Sequence, residues 1–278
     1  MAKIGIALGG GGAKGLAHIL ILEVLEELGL RPVCVAGTSI GALLGVLYCS
    51  GIPPSQTRRQ MTEASLSGDE SLRDLLGKRE ILKWLDLARF QFDRSALLRS
   101  DSVMDILFSD LGPRRFEDLH TSLKIVATDF WAREPVVLDR GELIPALKAS
   151  MAVPGVFPPV EIEGRLLVDG GMVNPVPYDL LPRECDITIA VDVAGKRTPT
   201  SDGSPSMADL VFNAFQIAAR SIVREKLCRV QPDIYVEPDI GDIRLLEFYK
   251  AAQVFRQAQP AKEQFKRELE LQLERFRR

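Results

Sequence analysis

The pentapeptide Gly37-Thr38-Ser39-Ile40-Gly41 holds a serine between an apolar run, Val33-Cys34-Val35-Ala36, and a helix-like stretch over 42–49. A Gly-x-Ser-x-Gly at a strand-to-helix turn lifts the hydroxyl clear of a parallel sheet, where it can attack an electrophile. Gly37 and Gly41 allow a turn too sharp for a Cβ. Such a serine needs a proton acceptor within hydrogen-bond reach. The 278 residues contain two histidines, His18 and His120. His18, one turn into the first expected helix, reads as a packed or loop-bracing residue. His120, near a strand start, reads as a surface residue. The base is therefore sought among the carboxylates. Asp169 ends an expected strand and precedes Gly170-Gly171, which permit close approach. A free aspartate, with pKa about 3.9, is a poor base for an alcohol. Burial would raise that value.

A second feature is Gly9-Gly10-Gly11-Gly12-Ala13-Lys14-Gly15, between the first strand and its helix. Successive amides without side chains, at a helix N-terminus, make an anion-binding nest. A phosphate-binding P-loop would require Lys-Ser or Lys-Thr after its last glycine, and Gly15 is followed by Leu16. A dinucleotide fingerprint is formally present as Gly10-x-Gly12-x-x-Gly15, but the second strand ends in Ala36-Gly37-Thr38-Ser39 and offers no acid for a ribose. The third reading is an oxyanion hole made by the Gly10, Gly11 and Gly12 amides. Each preplaced donor is worth on the order of 3 kcal/mol to an acyl-transfer transition state. Lys14 reads as a brace for this loop, and Asn174 as a turn residue or a partner of the Asp169 turn.

These residues need elements to position them. Segments 3–8 and 33–36 read as buried strands, and 14–28 and 42–49 as helices, with Gly29 closing the first helix. The alternation β-loop-α-β-elbow-α is that of a parallel sheet covered by helices. The stretch 52–120 carries helical patterns over 55–67, 71–87 and 101–110 and no clear strand. In it Arg73, Lys78, Arg79 and Lys83 alternate with apolar residues such as Trp84, Leu85 and Phe90. It reads equally as a cap over the site or as a helical layer with a solvated basic face. Strands are expected again at 123–128, 135–138, 186–193 and 233–236, with a hairpin at 160–168 turning on Glu163-Gly164. Helices are expected at 143–150 and 207–230, a mobile loop at 196–206, and two closing helices around Pro260. With no repeat and no linker, residues 1–278 read as a single domain.

Composition narrows the partners. A net charge of −3 gives no reason to expect nucleic acid. Cys34, Cys49, Cys185 and Cys228 are scattered and read as buried reduced thiols, with no ligand-like spacing and hence no metal. The segment MAKIGIALGGGG is too short and glycine-rich for a signal peptide, and no run of about 18 apolar residues occurs. The expectation is a cytoplasmic protein, with peripheral contact at a membrane surface left open. The residues after 260, with Phe265, Leu269, Leu273 and Phe276 near helical spacing, suit a docked helix better than an interfacial one.

Four ordered blocks, GGGGAKG, GTSIG, ASMAVPGVFPPV and DGGMVNPVP, resemble the patatin-like phospholipases, in particular their small bacterial-type single-domain members. The resemblance spans roughly residues 4–177. It implies a three-layer α/β/α sandwich with a mainly parallel central sheet, and hydrolysis of lipid or fatty-acyl esters of phospholipase A, lysophospholipase or esterase type. It implies Ser39 as nucleophile, Asp169 as its sole partner, and Gly10, Gly11 and Gly12 as the oxyanion hole, with no cofactor. The family's first block often ends in Arg-Gly, where this chain has Lys14-Gly15; the cation is kept and a bidentate fork is lost. Two alternatives stand beside hydrolysis: an acyltransferase using the same acyl-enzyme, and a non-catalytic lipid- or acyl-binding protein on this fold. The acyl chain, the head group and the oligomeric state are not encoded legibly.

Overall fold

A computed structural model of the protein describes residues 2–66, 112–196, 198 and 207–277. The helices expected at 71–87 and 101–110, most of the suggested cap at 52–120, and most of the loop at 196–206 lie outside the described residues.

The first strand, β1 (Ile4–Leu8), is buried along its whole length, between β2 (Cys34–Thr38) and β7 (Ile187–Val191), both parallel to it. That is why these segments read as continuous apolar runs: helices cover both faces of a parallel sheet. Eight strands form one sheet, with β3 (Ser122–Asp129) beside β2 and β8 (Ile234–Val236) beside β7. The strands β4 (Glu134–Leu138), β5 (Val160–Ile162) and β6 (Arg165–Asp169) join it antiparallel. The turn between β5 and β6 places Glu163 and Gly164 at φ 52° and 74°, as a two-residue hairpin turn requires.

Ile4, Ile6, Leu8, Val35, Ile125 and Ile189 face one layer, formed by α1 (Ala17–Glu27), α2 (Ile40–Cys49) and α6 (Ala251–Arg277). The opposite face presents small residues, Ala7, Cys34, Ala36 and Ala190, to Tyr178, Leu181 and the Val223 side of α5 (Met207–Arg229). The helices α3 (Pro54–Leu66) and α4 (Leu143–Met151) complete the described helical layers. The architecture is thus the expected α/β/α sandwich with a mainly parallel sheet. Lys262 bridges Glu23 and Glu27 of α1 at 2.6 and 2.7 Å, and Arg58 of α3 reaches Glu23 at 3.1 Å. These pairs lock three helices together above the sheet.

Three expectations are corrected. The helix expected from residue 14 begins as a 3-10 turn (Gly12–Leu16) and becomes α-helical at Ala17. The chain end forms one helix that runs through Pro260 rather than two around it. A proline inside a helix costs about 3 kcal/mol, but Val254, Phe255 and Ala258 on one side and Phe265 and Leu269 on the other are all buried in the same core, and that packing holds the helix continuous. Finally, all four cysteines are free, but only Cys34 and Cys49 are buried; Cys185 is half-buried and Cys228 exposed.

The edge of β3 is where the fold builds the site. Its residues 122–126 pair with β2, and residues 127–129 pair with β6; β4 occupies the other edge. Thr38, the last residue of β2, is opposite Val126, and Asp169, the last residue of β6, is opposite Ala127. Two strands arriving from opposite directions therefore end at adjacent positions on one partner.

Candidate active site

At the end of β2 the chain turns into α2 through Ser39, with φ 55° and ψ −122°. Positive φ in a residue with a Cβ is strained, by about 1–3 kcal/mol. The surroundings hold it. The Ser39 amide donates to Ser150 Oγ at 2.9 Å, and Ser150 Oγ donates to the Val126 carbonyl at 2.6 Å. Thr38 Oγ1 donates to the Asn174 carbonyl at 2.8 Å. The flanking glycines are required by close approach: a Cβ on Gly41 would lie 2.1 Å from the Leu8 carbonyl oxygen, and one on Gly37 2.5 Å from Ala42 Cα. Ser39 is left as the N-cap of α2, at the positive end of the helix dipole, which favours a developing alkoxide.

Asp169 is 2% exposed. Its amide donates to the Ala152 carbonyl at 3.0 Å, and its own carbonyl accepts from Thr128 Oγ1 at 2.8 Å. In the side chain, Oδ1 accepts from the Gly171 amide at 2.7 Å, at the start of a 3-10 turn (Gly170–Met172). Oδ2 is buried with no completed hydrogen bond among the described residues. Burial pushes this carboxyl from its ordinary 3.8 up to about 6, against the opposite pull of the Ser39 hydroxyl and the Gly171 amide. A base poised near neutrality is better matched to a serine than a free aspartate.

The glycine loop faces the same space. Gly10 packs against the elbow: a Cβ there would be 3.5 Å from Ser39 Cβ. Its amide, however, donates to the Pro175 carbonyl at 2.9 Å. The expectation that Gly10 contributes an oxyanion donor is corrected on that ground, since its one N–H is engaged. The Gly9 and Ala13 amides are engaged too, with Val191 and Leu245 carbonyls at 2.9 and 2.8 Å. Between them the Gly11 and Gly12 amides make no hydrogen bond among the described residues. Lys14 is buried, its stem against Gly195.

Neither histidine lines the space that Ser39 and Asp169 share among the described residues. His18 is fully buried, and its Nε2–H donates to the Gly9 carbonyl at 2.8 Å, a bond that requires the Nε2 tautomer. Burial lowers its pKa to about 4, so it is a neutral brace under the glycine loop. His120 is exposed, and its amide pairs with the Cys49 carbonyl. Cys49 ends α2, the ten-residue helix that Ser39 caps, about 15 Å along its axis at 1.5 Å per residue.

Gly10, Gly11, Gly12, Ser39, Asp169 and Gly171 line one open cleft. α5 supplies part of its lining, through Phe212, Phe215, Gln216, Ala219, Arg220 and Val223. Asn174 ties that helix to the Asp169 turn. Its amide donates to the Gly170 carbonyl at 2.9 Å, and Nδ2 donates to Asp179 at 3.0 Å. Lys226 of α5 donates to Asn174 Oδ1, to Asp179 at 2.5 Å and to the Val176 carbonyl at 3.0 Å. Burial lowers the Lys226 pKa against the pull of Asp179.

Three contributors escape a reading of the chain. Ser150 lies inside the ASMAVPG block, but nothing local marks its role as the bridge to Ser39. Asp192, just beyond β7, accepts from the Ala194 amide at 2.8 Å and from Tyr235 OH at 2.7 Å, shaping the wall against which Gly11 packs. Arg220 is one of many surface-like cations until α5 is placed along the cleft.

Fold and site together define an α/β protein with a serine presented at a strand-to-helix elbow, a buried aspartate beside it and free loop amides. Residues 6–182 match the model of the patatin-like phospholipase family, and the chain belongs to that family. An uncharacterised NTE family protein of Mycobacterium tuberculosis is 34% identical over 74% of this chain and 53% of its own length. A protein of Candida glabrata described as lysophospholipase NTE1 is 27% identical over 91% of this chain and 15% of its own. The chain thus spans about half the mycobacterial relative and a small part of the yeast one. Among solved structures, VipD from Legionella pneumophila shares the fold with a TM-score of 0.51 at 14% identity, over 95% of this chain and 66% of that one.

Proposed function

We propose that the protein hydrolyses carboxylic esters of lipids through a Ser39–Asp169 dyad and an acyl-enzyme. The observation that carries this reading is the convergence on one cleft of a strained, elbow-held Ser39, a buried Asp169 and, among the described residues, one Asp169 oxygen and two loop amides without partners. Ser39 Oγ attacks the ester carbonyl while its proton passes to Asp169. The carbonyl oxygen becomes an oxyanion, and the Gly11 and Gly12 amides are the donors for it. Collapse of the tetrahedral intermediate expels the alcohol, which takes the proton back from Asp169 and leaves the acyl group on Ser39. A water then attacks the acyl-enzyme while Asp169 accepts its proton, and as the fatty acid leaves Asp169 returns that proton to Ser39 Oγ.

The apolar wall of Phe212, Phe215, Ala219, Val223 and Leu245 suits an acyl chain. Family membership and the lysophospholipase name of the yeast relative support lipid esters as the substrate class. Peripheral contact with a lipid surface is part of the reading, supported by the exposed Leu210, Val211 and Ile217 on the outward side of α5. Among the described residues no helix is long and apolar enough to cross a membrane.

The test is a lipid-ester panel run with the parent protein and Ser39→Ala, together with labelling by a fluorophosphonate. Turnover and labelling should both vanish in Ser39→Ala while the fold is retained. Parent-like hydrolysis by that variant would end the proposal.

A further inference from the structure

The cleft described above has a charge asymmetry. Among the described residues three ionisable side chains line it: Asp169, Asp192 and Arg220. Both Asp192 oxygens are engaged, by the Ala194 amide and Tyr235 OH. Arg220 is the sole cation in the lining among the described residues. Among the described residues its one ion pair is a single contact, Nη2 to Glu237 Oε1 at 3.1 Å, with both side chains 36% exposed. Half-exposed single-point pairs are weak and readily exchanged, and a guanidinium has five N–H donors. Gln216, one turn earlier on the same wall of α5, makes no hydrogen bond among the described residues and adds a neutral donor.

Two carboxylates in a cleft repel an anionic substrate unless a cation offsets them. A cation with spare donors, beside an uncommitted amide and lining the same cleft as the glycine loop, is suited to a phosphate oxygen. We infer that Arg220 is a specificity-determining residue that binds the phosphate of the substrate's leaving alcohol, and that Glu237 holds its guanidinium at the rim until substrate takes its place. Within the lipid esters that the family implies, Arg220 then biases this chain toward those whose leaving alcohol carries a phosphate. This rests on the hydrolase reading above, and it assigns the wall of α5 two parts, apolar residues for the acyl chain and Arg220 with Gln216 for the head group.

The test uses a matched pair, a short-chain 1-acylglycerol and the same 1-acylglycerol carrying a 3-phosphate, both below the concentration at which they aggregate. The two present the same ester bond and differ only in the phosphate. The parent should favour the phosphate ester, mainly through KM. Arg220→Gln should lower the ratio of kcat/KM between phosphate and neutral ester on the order of 10- to 100-fold, the range of a lost charged hydrogen bond. Arg220→Lys should recover part of the ratio, and Glu237→Gln should raise it. Binding of the same pair to Ser39→Ala protein, with and without Arg220→Gln, reads the preference without turnover. Equal losses on both substrates in Arg220→Gln, or an unchanged ratio, would overturn the inference. If the parent turns over neither ester while Ser39→Ala still prefers the phosphate form through Arg220, the hydrolase reading fails and the anion site stands.

Discussion

Asp169→Asn separates what the buried carboxylate does for chemistry from what it does to stability. A carboxyl whose folded pKa lies above its unfolded one opposes folding once it ionises. Below the ordinary value of 3.8 it is protonated in both states and contributes nothing unfavourable. As pH rises through about 6 the unfolded state has already released its proton, and the folded protein must hold a desolvated charge. The difference between 3.8 and about 6 corresponds to roughly 3 kcal/mol at 1.36 kcal/mol per pKa unit. Asparagine keeps an acceptor for the Gly171 amide and cannot ionise. Urea unfolding followed by circular dichroism at pH 4 and pH 7.5 should therefore show a pH-dependent gap. Asp169→Asn gains on the parent as pH rises, by up to about 3 kcal/mol, a midpoint shift on the order of 1 M. The same variant should lose nearly all esterase turnover. In the parent, kcat/KM should rise with pH through about 6 and then level, because the ionised carboxylate is the base. A stability gap that is identical at the two pH values, or a variant less stable than the parent at pH 7.5, would refute the claim that desolvation of this carboxylate outweighs its hydrogen bonds.

Ser39→Gly should unfold at higher urea than Ser39→Ala, by about 1–2 kcal/mol, because φ 55° is strained for alanine and free for glycine; equal midpoints would remove the strain argument. Gly11→Ala should lower kcat by on the order of 100-fold with a smaller change in KM, since its Cβ would lie 2.6 Å from the Val193 carbonyl oxygen and displace the free amide; steady-state kinetics on a soluble ester read this directly. His18→Ala should lower the thermal midpoint but keep part of the turnover, and the pH profile should keep its inflection near 6. Loss as complete as that of Asp169→Asn would restore a histidine mechanism.

Much of the site was legible because its parts are local. The elbow needs glycines where the Leu8 carbonyl and Ala42 approach, and those appear as Gly41 and Gly37. The buried strands needed no alternation and showed none. Other parts depend on contacts across long stretches of chain. Ser150 is 111 residues from Ser39 and meets it only because α4 packs under the junction of β2 and β6. The division of labour among Gly10, Gly11 and Gly12 turns on which way each amide points, and only the Pro175 carbonyl reveals that Gly10 is engaged. Pro260 misled in the opposite direction. Its local signal for a break is real, but apolar residues on both sides of it enter one core.

In the proposed mechanism two residues transfer the proton that a histidine commonly relays, and the shared edge of β3 is what positions them. Ser39 follows Thr38, which lies opposite Val126 of β3, and Asp169 is itself paired at Ala127. Ser150 then joins the Ser39 amide to the Val126 carbonyl, closing the link through side chain as well as ladder. A short carboxylate has little reach, so in the proposed mechanism the backbone must supply the positioning that an imidazole would otherwise bridge. Burial supplies the basicity, and the free glycine amides take the charge that a weak base cannot. Each of the three deficits of a serine–aspartate pair is thus met by a different level of the structure: register, desolvation and loop conformation.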